Sequence, residues 1–190
     1  CAFAFSVLIR KKRITEEKNV TTALLILISV MWLPVALLNM GKGEPKGTGA
    51  ATGFVGLLVV VGALIQGSYY NDPLVAGLLF AHGVLYLSVS YALLAGLEDL
   101  RSVGNVSLTV CLISLIYTLL FYFGSPVLAD GSQLIPKSNY LALACLGYTV
   151  LTLEVFMAFY GKLSGKIVAL SLIIWVPIGL WIPAFWLLAT

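Results

Sequence analysis

Six stretches of this chain are apolar for long enough to cross a bilayer, and they leave little else to fold. They run over residues 20–40, 49–66, 73–95, 106–123, 139–160 and 167–188, and spanning takes about 20 apolar residues. In lipid a backbone finds no water, so each N–H and C=O must be satisfied within its own segment, as a helix does. The joins are short, so consecutive helices run in opposite directions beside one another. Only 10% of the 190 residues are charged and 61% are hydrophobic, whereas a soluble domain is about 25% charged. The bilayer is therefore the solvent for most of the surface. The reading is an all-α integral membrane protein with six transmembrane helices arranged as three helical hairpins. Residues 20–190 form this domain, and residues 1–19 form a basic leader, truncated or interfacial, whose apolar part is too short to span.

Charge sets an orientation. The joins at 41–47, 96–104 and 161–166 fall on one side and hold Lys42, Lys46, Arg101, Lys162 and Lys166. The opposite joins, 67–72 and 124–138, hold only Lys137. Positive residues collect in cytoplasmic loops, which puts the three basic turns inside. Arg10, Lys11, Lys12, Arg13 and Lys18 of the leader pull the other way. Each basic turn begins with glycine, a usual helix stop.

Several classes are excluded. A net charge of +3, scattered along the chain, gives no nucleic-acid surface. Cys1, Cys111 and Cys145 form neither a disulfide framework nor zinc spacing. HExxH, GxSxG and Walker sequences are absent and a single histidine is present, so no catalytic constellation, metal or cofactor is expected.

Two ionisable side chains, His82 and Glu154, lie deep in spans. Intramembrane ionisable residues are costly and face a partner or a wet cavity. His82 reads either as a bonded core histidine or as a functional group, and Glu154 as facing a cavity or pore. Gly49, Gly53, Gly56, Gly62 and Gly67 crowd the second span, where small residues let helices approach closely. Tyr69, Tyr70, Tyr122 and Tyr160, near span ends, read as interface anchors. Phe80, Tyr86, Tyr91, Tyr117, Tyr148 and Phe156 lie deeper, as pore wall or as core. The last span holds Pro177 and Pro183, which remove the donors for the carbonyls of Ile173 and Gly179. It also holds Trp175, Trp181 and Trp186, of which Trp175 is expected inward, Trp181 beside a neighbouring helix and Trp186 at the interface.

Three stretches in order carry a resemblance. "LLNMGKGEPKGTGAATGFVGLL" (37–58) places Glu44-Pro45-Lys46 ahead of a small-residue run and Phe54-Val55-Gly56-Leu57-Leu58. "GLLFAHGVLY" (77–86) and "GKIVALSLIIWVPIGLWIPAFWLL" (165–188) follow. With the six spans, they resemble the UreI/AmiS urea and short-chain amide channel family over about residues 20–190. The resemblance implies a pore through each protomer, a homo-oligomer (a hexamer), termini outside, and passive passage of small neutral solutes such as urea. It implies residence in a bacterial or archaeal cytoplasmic membrane. There are departures. A last-helix glutamate of the urea channels falls on Trp175, a fifth-helix tryptophan cluster on Tyr140, Ala144, Gly147 and Leu151, and a third-helix tyrosine on Val84, while Phe80 is kept. The expected pore lining is Phe80, Val84, Tyr148, Leu151, Glu154, Trp175 and Trp181. Two alternatives stand beside the channel: a structural or accessory subunit of a larger membrane complex, and the substrate-binding membrane subunit of an energised importer.

Overall fold

The computed structural model describes the backbone of residues 2–127 and 135–189, with side chains placed from residue 19 onward except at 187–188. Cys1, Ser132 and the side chains of the basic leader lie outside the described residues. Helix α1 runs Ala2–Asn39, α2 Pro45–Ser68, α3 Pro73–Ala95, α4 Arg101–Phe123 and α5 Asn139–Phe159. The last span is α6 Gly165–Trp175, a π-helical segment Val176–Trp181 and α7 Ile182–Ala189. Six helices among the described residues are long and apolar enough to cross a membrane, the first from Asn19 and the last to Trp186. The backbone of the leader is helical and continuous with the first span.

The helix boundaries follow local chemistry. Glu44 caps α2 by accepting from the backbone N–H groups of Lys46 and Gly47, with Pro45 in the first turn, where a missing N–H costs nothing. Asp72 accepts from Val75 N–H at 3.0 Å ahead of Pro73. Ser138 and Ser164 cap α5 and α6. Gly41, Gly96 and Gly161 sit at φ of 73°, 65° and 69°, a left-handed conformation suited to glycine that turns the chain out of the helix. Where the chain is exposed at the start of α4, the Arg101 guanidinium hydrogen-bonds both oxygens of Asp99, holding its pKa down at about 2.

Packing then chooses the partners. The most extensive contact is α2 along α3, followed by α4 along α5, while α1 lies against both α2 and the last span. The basic turns join α1 to α2, α3 to α4 and α5 to α6, so the closest packing runs across the other joins. Its cause is visible in α2. A Cβ on Gly49 would sit 2.9 Å from the Cβ of Leu93, and one on Gly56 3.1 Å from that of Tyr86. Ser90 Oγ donates to the Gly49 carbonyl at 2.7 Å, which only bare backbone permits. Between α4 and α5, Ser107 Oγ donates to the Thr152 carbonyl at 2.8 Å. Between α1 and α2, fully buried Gln66 donates from Nε2 to Thr21 Oγ1 at 2.8 Å. One core gathers Trp32, Val59, Tyr86, Leu151, Leu172 and Leu180 from five of the six spans. Cys111 and Cys145 are free thiols in the interior.

Candidate functional site

Inside the bundle lies a cavity of about 70 Å³, well above the ~10–15 Å³ that admits one water. Its walls come from α1, α2, α3, α5 and α6. Two helices present complete faces to it. Helix α3 contributes His82, Leu85, Tyr86 and Val89, and α5 contributes Tyr148, Leu151, Thr152 and Val155. Both sets have i, i+3, i+4, i+7 spacing, which keeps side chains on one side of a helix. Trp32 closes the wall from α1.

The rings interlock at steep angles. Trp32 and Tyr148 meet edge to face, 5.8 Å apart at 85°. His82 stands 5.2 Å from the Tyr148 ring and 6.1 Å from that of Tyr86. Such pairs stiffen a wall beyond what their burial contributes. Polar groups are few, and most are spoken for. Thr52 and Thr152 donate to carbonyls one turn back in their own helices, each at 2.7 Å. His82 Nδ1 lies 3.0 Å from the Leu78 carbonyl. No Asp, Glu, Lys or Arg among the described residues lines the cavity. An ion entering it would lose its hydration and meet no countercharge.

The tertiary structure sorts the sequence candidates. Tyr148 and Leu151 line the cavity, and so does His82. Phe80, Glu154 and Trp175 are not among its walls. Glu154 instead accepts a hydrogen bond from Ser171 Oγ at 2.9 Å, linking α5 to α6. Trp175 is half-buried behind the wall, its ring against Gly147, where a Cβ would lie 2.6 Å from ring atoms. Val84 and Trp181 are on the outer surface, 50% and 41% exposed. Trp186 is also outside, at the far end of the last span. Trp32, Thr52 and Thr152 were not among the expected pore-lining residues. Thr152 stands one turn from Tyr148, but all faces of these spans are apolar, and spacing alone does not say which points inward.

The prolines act as their chemistry dictates. Pro183 cannot donate to the Gly179 carbonyl, and Tyr148 Oη approaches that oxygen at 3.4 Å, a long hydrogen bond. Around Pro177 the helix widens, and Ile182 N–H donates to the Pro177 carbonyl five residues back.

The six-span bundle encloses a small aromatic-walled cavity that no charged side chain among the described residues lines, a wall suited to a neutral solute rather than an ion. The model of the AmiS/UreI family of transporters matches residues 20–190, and the chain belongs to that family. Its fold is similar to the Helicobacter pylori urea channel, solved by cryo-EM in a closed state, with a TM-score of 0.76 at 21% identity. That match covers 88% of this chain and 97% of the other. The crystal structure of the urea channel from the human gastric pathogen Helicobacter pylori is similar with a TM-score of 0.73 at 25% identity, over the same shares of the two chains. Among curated proteins there is no match.

Proposed function

We propose that this protein is a passive channel for urea and other small neutral amides. The observation that carries the reading is the cavity wall: flat rings of Trp32, Tyr86 and Tyr148, no charged side chain among the described residues, and one histidine. Planar amides pass edgewise between flat rings, and the absence of fixed charge disfavours ions. Narrow paths of this kind select by diameter and by a few hydrogen-bonding groups. Membership in the AmiS/UreI family and the likeness to a urea channel support the same solute class. The protein would work as a homo-oligomer, a hexamer by family resemblance, in a bacterial or archaeal cytoplasmic membrane. Its basic turns would face the cytoplasm.

Stopped-flow light scattering on proteoliposomes tests this. Vesicles carrying the protein should take up urea, formamide or acetamide faster than protein-free vesicles, equally in both directions and without ATP or an ion gradient. Permeability equal to that of protein-free vesicles for every amide would defeat the reading and favour an accessory subunit. Uptake that needs ATP and a partner would favour the energised importer.

A further inference from the structure

His82 is 5% exposed and forms part of the cavity wall. Its Nδ1 lies 3.0 Å from the Leu78 carbonyl. A carbonyl oxygen only accepts, so in the neutral ring Nδ1 carries the proton and Nε2 carries the lone pair. Nε2 is buried, and among the described residues nothing donates to it. The neighbouring hydroxyls of Thr52 and Thr152 already donate to their own helices, and that of Tyr148 donates to Gly179. Buried polar atoms are nearly always paired. An unpaired acceptor on the wall of a cavity is therefore a place for a donor that the solute brings.

We propose that His82 Nε2 is the specificity-determining acceptor of the solute path, taking an N–H of a neutral amide as it passes Tyr86 and Tyr148. The assignment rests on the amide-channel reading and names the group that filters within it. Urea, formamide and acetamide each carry an N–H that completes the imidazole's bonding. A tertiary amide carries none, so it leaves Nε2 buried and unpaired as it passes. The path would thus discriminate by donor as well as by diameter, favouring primary over fully N-alkylated amides.

The chain has a single histidine, so a ¹⁵N-histidine label reports on His82 alone. In bilayers the wild-type protein should show an unprotonated Nε2 whose signal moves upfield as formamide is added and stays put with N,N-dimethylformamide. A protonated Nε2, or a signal indifferent to formamide, overturns the proposal without any variant having to fold. In proteoliposomes, His82→Phe keeps a flat ring but has no acceptor. It should lower the ratio of formamide flux to N,N-dimethylformamide flux about tenfold, the scale of one lost buried hydrogen bond. His82→Gln, whose side-chain oxygen accepts, should keep most of that ratio. A ratio in His82→Phe equal to that of wild type would remove His82 from the filter and leave the channel reading standing. Wild-type vesicles no leakier to amides than protein-free ones would defeat the channel reading instead, and the ¹⁵N titration would still decide whether His82 binds formamide.

Discussion

Glu154 accepts a single hydrogen bond, from Ser171 Oγ at 2.9 Å, and its second carboxyl oxygen is buried with no partner among the described residues. A carboxyl group in mid-span is costly, and removing its one donor should cost more than neutralising it. Ser171→Ala is expected to destabilise the protein by about 1–3 kcal/mol, because it leaves both oxygens without a donor. Glu154→Gln keeps an oxygen for Ser171 and should cost less than about 1 kcal/mol. Thermal unfolding in detergent reads both, and a Ser171→Ala variant as stable as wild type would show that the bond contributes nothing. The same Glu154→Gln protein in the flux assay decides a separate point. Altered amide flux at unchanged stability would place the carboxyl group on the solute path. Unchanged flux would leave it as a tie between α5 and α6.

At the scale of elements, the α2–α3 pair depends on a glycine face. A Cβ at Gly53 would collide with Ser90 Oγ, which must stay where it is to reach the Gly49 carbonyl. Gly53→Ala should therefore separate the two helices and lower stability by about 1–3 kcal/mol, the usual cost of overpacking. Gly67→Ala, whose new carbon would lie 3.3 Å from the Ala76 Cβ near the end of α2, should cost clearly less. Equal melting temperatures for the two variants would contradict this account of the pair. Because Tyr86 and His82 sit on α3, the loss of close packing should also reach the cavity and reduce amide flux. The π-helical turn is the second such device. It brings the Gly179 carbonyl, freed by Pro183, within reach of Tyr148 and so ties the last span to the cavity wall.

For the whole molecule, the charge distribution predicts which side the basic turns face. Five of the six positive charges in the joins lie in the turns at 41–47, 96–104 and 161–166, so those turns should be cytoplasmic. Single-cysteine labelling reads this directly once the native cysteines are replaced. Ser102, exposed at the start of α4, is the inside probe, and Ser132, in the 124–138 join, is the outside one. An impermeant maleimide applied to intact cells should modify Ser132→Cys and leave Ser102→Cys untouched. Labelling of Ser102→Cys from outside would invert the molecule and give the leader's positive charges the deciding weight.

What the sequence by itself determined is whatever lipid enforces on every span alike. Helical structure, span number and the glycine and proline boundaries follow from backbone hydrogen bonding, and these are local properties. The third span, 73–95, coincides with helix α3, and the other helices begin or end within a few residues of the apolar stretches. The resemblance in three short stretches was enough to point to the family. The inward face of each helix was another matter. In a soluble helix the polar side marks the outside, but here lipid-facing and core-facing sides are equally apolar. Val84 and Trp181 looked as suitable for the path as Tyr148, yet they face outward, while Trp32 and Tyr86 close the wall. Only tertiary packing made that choice. Bare glycine on α2 let α3 come close, the widened turn after Trp175 aimed the last span, and the Leu78 carbonyl fixed which nitrogen of His82 was left unpaired. These are relations between residues far apart in the chain or between a ring and its own backbone, and no spacing in the sequence encodes them.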